Sequence, residues 1–236
     1  MKIVCIIPAR LDSNRFPRKI FAKLSGKTLL ENVIESAKKV TLFDRVIVAG
    51  CSQEVVDVAF AHGVEGVLTD PMIPNGTIRI ISAIEKLAIK GDIFVNWQAD
   101  EPFITEELIE TLLQVNDHSD AFTLKKKIDK ESASDPNIVK VVTDLSGKAL
   151  YFSRAPIPYQ RGKEADYYKH IGLYAFTSRA LDIIKTLKQA PLEECEVLEQ
   201  LRWLEHGMNI QVSCSQLDVM GIDTQEDLVK ANNRTV

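Results

Sequence analysis

Apolar residues follow one another without alternation from Ile3 to Ile7, and the pattern returns at Arg45 to Ala49, at a short Gly66 to Leu68 and at Ile93 to Trp97. Unbroken apolar strands of this kind are buried on both faces, as in a parallel sheet covered by helices. Between them, apolar positions recur at helical spacing near Thr28 to Lys39, Gln53 to His62 and Thr77 to Ala88. Alternation of strand and helix up to about Gln114 predicts a doubly wound half. A further helix starts at Thr105-Glu106-Glu107-Leu108, where Thr105 suits an N-cap and the acids suit the first turn. After about Asp120 the pattern shortens to β segments at Ala121 to Leu124, Val139 to Thr143, Ala149 to Phe152 and His170 to Ala175, with Asp144-Leu145-Ser146-Gly147 as a hairpin-like turn. Helices are expected near Ser178 to Leu187 and Leu192 to His206, then a strand Ile210 to Cys214 and a last helix from Thr224. Gln160 to Tyr168 reads as a charged, weakly ordered loop.

A chain of 236 residues fits one domain, or one domain with a small appendage. Its net charge of -4 argues against general nucleic-acid binding, so local clusters of cations carry more information than the total. No apolar stretch reaches bilayer-spanning length, and MKIVCIIPAR lacks the features of a signal peptide, so a cytoplasmic protein without a membrane role is expected. Cys5, Cys51, Cys195 and Cys214 show no CxxC spacing, which points to neither a zinc site nor a disulfide framework.

Candidate chemistry begins where the first strand ends. Arg10, Arg15, Arg18 and Lys19 crowd the loop Ala9 to Lys19, at the carboxyl end of a buried strand, where an open α/β sheet places its ligand. They ask for a strongly anionic ligand such as a triphosphate, although by itself the loop is equally an ordinary solvated surface. Having no glycine, it is neither a phosphate-cradling P-loop nor a dinucleotide fingerprint. Asn96-Trp97-Gln98-Ala99-Asp100-Glu101-Pro102 closes the fourth apolar strand, and Asp100 there suits Mg²⁺ with substrate phosphates as further ligands. Of the adjacent acids, one is expected to face solvent or pair with a base. Asp223 lies just before the N-cap Thr224, and a fold-back onto Asp100 would let two carboxylates hold metal for phosphoryl chemistry. Pro74-Asn75-Gly76-Thr77-Ile78-Arg79 enters a helix and leaves free N–H groups for a polar ligand. Arg154, in the proline-stiffened Tyr151 to Tyr159, suits a carboxylate. His170 reads as a structural histidine rather than a general base, and Glu199 and Gln200 as a polar face of a leucine-striped helix.

In order along the chain, IIPARLDSNRFPRK, NGTIR, NWQADEPF, GKALYFSRAPIPY, YKHIGLYAF, LEQLRWLEHG and GIDTQEDL resemble the 3-deoxy-D-manno-octulosonate cytidylyltransferases, or CMP-Kdo synthetases, over nearly the whole length. The resemblance implies a nucleotide-diphospho-sugar transferase fold, Rossmann-like, with a mainly parallel mixed sheet flanked by helices and a smaller β-rich part. It implies a single cytidylyltransferase domain, with about 1–119 binding nucleotide and about 120–236 serving the sugar acid and dimerisation. Its members are usually homodimers that use CTP and Mg²⁺ to make CMP-Kdo and pyrophosphate for lipopolysaccharide assembly. By the same likeness Ala9, Arg10 and Lys19 bind CTP, Asn75, Gly76 and Arg79 complete the nucleotide pocket, and Gln98 touches nucleotide or sugar. Asp100 and Asp223 match the metal ligands, and Arg154, His170, Tyr174, Glu199 and Gln200 surround the sugar acid.

The chain departs from the family pattern in three places. Gly50-Cys51 stands for a Thr-Asp pair, Ile78 for an acid that would orient Arg79, and Pro17-Arg18-Lys19-Ile20 for Pro-Gly-Lys-Pro. They leave room for transfer to another 2-keto sugar acid, of the amino-Kdo or sialic acid type, and for a catalytically weak binding paralogue. A glycosyltransferase is disfavoured because Asp-x-Asp is absent near Asp100.

Overall fold

The first apolar run forms β1 (Ile3–Ala9), buried along its whole length. The computed structural model describes residues 1–11, 15–114 and 118–234; part of the cationic loop, Asp12 to Asn14, lies outside them. The chain divides into two units, one of Met1–Ile109 with the segment from Val219 on, the other of Glu110–Asp218. The expected second half, 120–236, therefore loses its end to the first unit. That segment returns because Ile222 and Ala231 pack with Leu24 and Leu29, alongside Phe103, Met220 and Leu228.

In the first unit a hairpin of β2 (Lys23–Leu24) and β3 (Lys27–Thr28) follows β1, turning through Ser25 and Gly26 at φ 51° and 85°. Two positive φ values in succession suit the twist of a tight hairpin, and only the first falls on a residue with a side chain. Helix α1 (Leu29–Lys39) starts at a capping box: Glu31 N–H donates to Thr28 Oγ1 at 3.2 Å while the Glu31 carboxylate accepts from Thr28 N–H. There follow β4 (Arg45–Gly50), α2 (Gln53–Ala61), β5 (Glu65–Leu68), α3 (Gly76–Leu87), β6 (Ile93–Asn96) and α4 (Glu106–Leu112), a helix that starts in this unit and ends in the other. β1 lies between β4 and β6 and β5 lies outside β4, all parallel, in register Cys5 with Val46 and Val95. Every carboxyl end therefore opens on one edge, where the cationic loop and the Gln98–Glu101 turn emerge. The last described element is a helix, Gln225–Arg234, capped by Thr224 Oγ1, which accepts from Asp227 N–H at 3.1 Å.

The second unit contains β7 (Ala121–Ile128), α5 (Lys130–Ser134), β8 (Lys140–Thr143), β9 (Ala149–Ser153), β10 (Tyr167–Thr177), α6 (Ser178–Ile184), α7 (Pro191–Glu196), α8 (Glu199–Glu205) and β11 (Ile210–Cys214). β10 runs antiparallel to β7 and β11 parallel to it, while β8 and β9 form a hairpin. Three expectations change here. The loop Gln160 to Tyr168 ends early, because Tyr167 and Tyr168 already pair with Ile128 and Lys127. Helix α5 was not anticipated; Asp129 caps it by accepting from Ser132 N–H at 2.7 Å. The single helix Leu192 to His206 is two, broken at Val197, which takes the left-handed φ of 54°. The break leaves Val197 exposed and Leu198 buried, and a half-buried pair between Glu193 and Arg202 ties the two pieces together. Neither glycine nor proline marks it. Among the described residues no helix is long and apolar enough to cross a membrane.

Candidate active site

At the carboxyl edge of the first unit's sheet, a short 3-10 turn, Lys19–Phe21, aims the Lys19 side chain inward. Its ammonium contacts the Asp100 carboxylate and lies 2.7 Å from Asp223. A backbone bond explains the meeting: Ile222 N–H donates to the Asp100 carbonyl at 2.9 Å and sets Asp223 beside Asp100. Burial alone would lower the Lys19 pKa, but the two carboxylates outweigh it and hold the ammonium above the usual lysine range. Asp223 shows the mirror effect: burial pushes it up, yet Lys19 and then Arg15 hold it below the usual carboxylate range. Arg15 lies 3.0 Å from Asp223, a contact that sequence reasoning gave no cause to single out. Arg18 points elsewhere, onto Glu54 at 2.6 and 2.8 Å.

Lys19 and Asp100 line a cavity of about 140 Å³ with Pro8, Arg10, Ile20, Pro74, Asn75, Gly76, Arg79, Gln98 and Ala99. Eight of the nine unit-one site residues expected from the sequence are thus accounted for by this cavity or by Asp223 beside it. Ala9 is the exception. It is fully buried, its carbonyl accepts from Cys51 N–H at 3.0 Å, and it is not part of the lining. Asn75 caps α3 by accepting from Ile78 N–H at 2.8 Å, so the helix presents its N-terminus to the cavity, a favourable place for phosphate. A side chain at position 76 would start 2.9 Å from the Gln98 amide; glycine there lets Gln98 lie against the helix entrance. Arg10 Nη1 donates to the Pro74 carbonyl at 3.2 Å across the same opening.

The expected weaknesses look different in three dimensions. Arg79 is 1% exposed and oriented without an acid at position 78: it donates to Thr69 Oγ1 at 2.6 Å and to the carbonyls of Asp70 and Ile73 at 3.0 and 3.2 Å. It braces the segment leading to Asn75. Gly50 sits where a Cβ would meet Val55 at 2.8 Å, so α2 packs too closely for a threonine. Cys51 Sγ accepts from Leu11 N–H at 3.3 Å and steadies the start of the loop. Of the two adjacent acids, Asp100 is the one that pairs with a base, Lys19, while Glu101 is half-buried. Its Oε2 is buried without a hydrogen-bond partner, and burial, with Asp100 and Asp223 nearby, raises its pKa to about 8.

Two converging carboxylates on a cation-rich edge suit a hard divalent ion that keeps phosphate oxygens and water as its remaining ligands. Among the described residues no group of three or more His, Cys, Asp or Glu converges in the manner of an all-protein metal cage. Mg²⁺ seldom uses such cages, so the donor set fits it.

The second unit brings His170, Tyr174 and Trp203 together as an aromatic cluster with Phe152 and Phe176. His170 Nε2 lies 2.9 Å from Thr123 Oγ1, and desolvation pulls its pKa down to about 3, so the ring is neutral. Tyr174 is held well above the usual phenol range by burial first and the Glu199 charge second. Glu199 and Gln200 open α8, with Gln200 buried and Glu199 Oε1 enclosed. Arg154 sits after β9, its Nε donating to the Glu196 carbonyl at 2.9 Å and its Nη1 to the Pro136 carbonyl at 3.0 Å. Thr123 and Glu196 are additions that no motif announced, and Trp203 lies within LEQLRWLEHG without having been singled out.

A sheet edge lined by lysine, arginine and paired carboxylates suits a transferase that handles phosphates, and residues 4–210 match the family model described as cytidylyltransferase. The chain is 41% identical to 3-deoxy-manno-octulosonate cytidylyltransferase of Koribacter versatilis, over 97% of this chain and 88% of that one. It is 44% identical to the enzyme of the same name from Chlorobium phaeobacteroides, covering 97% and 95%. A solved structure of CMP:2-keto-3-deoxy-manno-octonic acid synthetase complexed with CTP superposes with a TM-score of 0.95 at 35% identity, covering 100% and 98%. The chain belongs to the 3-deoxy-manno-octulosonate cytidylyltransferase family, and its fold is the α/β fold of those enzymes.

Proposed function

We propose that the protein transfers CMP from CTP to 3-deoxy-D-manno-octulosonate (Kdo), releasing pyrophosphate. The observation that carries this reading is Lys19 joining Asp100 and Asp223 at a cavity closed by the N-terminus of α3, in a chain that matches a CTP-complexed synthetase over its full length. Arg10 and Lys19 meet the triphosphate as cations, and Asn75 and Gly76 bring the helix entrance to it. Arg79 acts one step back, by holding the segment Thr69 to Ile73. Gln98 supplies an amide to nucleotide or sugar. Asp100 and Asp223 hold Mg²⁺, which when bound neutralises phosphate charge and favours the ionised attacking hydroxyl. Arg154 takes the Kdo carboxylate, while His170, Tyr174, Glu199 and Gln200 contact its hydroxyls. The anomeric oxygen forms its bond to the α-phosphorus as the α–β bridging P–O bond breaks and pyrophosphate leaves. A histidine whose pKa is about 3 stays neutral and positions rather than abstracts a proton.

The same reading includes a cytoplasmic homodimer that supplies CMP-Kdo for lipopolysaccharide assembly. A coupled pyrophosphate assay with CTP, Mg²⁺ and Kdo tests the activity, beside parallel reactions with amino-Kdo and a sialic acid. Turnover highest on Kdo is expected. A higher kcat/KM on either alternative acid would reassign the substrate, and no pyrophosphate with any acid would leave a binding paralogue.

A further inference from the structure

Lys140, at the start of β8, is fully buried, an uncommon place for an ammonium group. Its Nζ donates to three backbone carbonyls, of Asp135 at 2.9 Å, Ile138 at 2.5 Å and Arg154 at 2.6 Å. A lysine ammonium has three donors, so none remains for a ligand. From the opposite side, the Glu196 carboxylate accepts from Ser153 Oγ at 2.5 Å and from Arg154 N–H at 2.8 Å. The main chain of Arg154 is thereby gripped at both its carbonyl and its amide. Its guanidinium leans on the Pro136 and Glu196 carbonyls, which belong to the same two gripping segments. Those contacts use two of five N–H donors. The rest stay available as a fork of fixed direction.

We infer that Lys140 is a positioning residue for the sugar acid: it ties the Asp135–Ile138 turn to the Arg154 main chain, so that the guanidinium meets a carboxylate already oriented. Burying this charge has a cost that a purely structural role could avoid with an apolar residue. Burial lowers the Lys140 pKa, and Asp135 and Glu196 oppose the shift, so the compensating charges come from the segments being held. The inference rests on the reading of Arg154 as the carboxylate-binding residue.

The test is a double-mutant cycle on the full chain with CTP, Kdo and Mg²⁺, comparing Arg154→Ala, Lys140→Met and the pair. Arg154→Ala should raise KM for Kdo by about 100-fold, and Lys140→Met by about tenfold, with kcat and KM for CTP changed less than about twofold. The double variant should be no worse than Arg154→Ala, since Lys140 acts through the residue already removed. If Lys140→Met fails to fold, Lys140→Gln, whose amide keeps part of the donation to the carbonyls, takes its place in the cycle, with a smaller rise in KM for Kdo expected. Independent multiplication of the two effects, or a parallel loss in kcat and in both KM values, overturns the positioning role and leaves Arg154 in place. An unchanged KM for Kdo in Arg154→Ala overturns the reading of Arg154 and the inference together.

Discussion

The two units handle charge in opposite ways. At the sheet edge of the first, charged groups face each other across a partly open cavity, with Lys19 held between Asp100 and Asp223 and Arg15 behind them. In the second, the groups matched to the sugar acid are largely desolvated: a neutral His170 among aromatic rings, an un-ionised Tyr174 and a buried Gln200. The difference follows from what each set would bind. A triphosphate and its metal bring charge that opposite charge must answer, whereas sugar hydroxyls ask for hydrogen bonds fixed in a dry pocket.

The comparison breaks first at the carboxylates. Asp100→Asn and Asp223→Asn each keep the side-chain volume and remove the charge, and each should lower Mg²⁺-dependent kcat by about 10³-fold. Pyrophosphate release measures it, with nucleotide binding followed separately to show that the fold persists. Near wild-type rates in both variants would remove the metal from the proposed mechanism. An effect confined to one of them would show that the meeting of Asp100 and Asp223 serves Lys19 alone.

Much of the first unit was legible because its signals are local. Unbroken apolar runs become β1, β4 and β6, and Asp100 follows directly from its place after β6. The approach of Asp223 was open to suspicion only, since it depends on a backbone bond between Ile222 and Asp100 and on the packing of Ile222 and Ala231. Other features left no trace in the pattern. Val197 breaks a helix without glycine or proline because the buried Leu198 and the Glu193–Arg202 pair override local preference. Arg79 resembles any helical arginine until its burial and its hydrogen bonds to Thr69, Asp70 and Ile73 on the preceding segment are seen. Lys140 likewise sits in an ordinary strand pattern, and its carbonyl partners are drawn from two separate stretches of chain.

The desolvated side sharpens through pH. His170 titrates at about 3 when folded, against 6.5 for the free side chain. Below about 6.5 the unfolded chain takes up a proton that the folded ring refuses, so stability is complete above that pH and falls as pH drops toward 3. One such group contributes a slope of up to about 1.4 kcal/mol per pH unit. Urea unfolding of wild type and His170→Gln at pH 7.5 and 4.5 should therefore show the variant losing less stability on acidification. Equal losses in the two proteins would mean that the ring is already hydrated, and the contrast between the units would shrink accordingly.

The smallest effect lies inside the cationic loop, where three neighbours of one sign have different partners. Lys19 is 13% exposed and touches two carboxylates, Arg15 touches one from a position 65% exposed, and Arg18 pairs with Glu54 where both are more than half exposed. An exposed ion pair contributes about 0 to 1 kcal/mol, because water and salt screen it and two long side chains must be ordered. Arg18 also stacks over Phe21, 5.1 Å from the ring centroid, which adds little at the surface. Arg18→Ala should accordingly shift the unfolding free energy by less than about 1 kcal/mol and leave KM for CTP within about twofold. Arg15→Ala should do more at low salt and less at high salt, since its partner Asp223 is one of the two carboxylates proposed to hold the metal. A rise in KM for CTP in Arg18→Ala as large as in Arg15→Ala would show that the loop swings when nucleotide binds, exchanging Glu54 for phosphate, and that its charges act as a group.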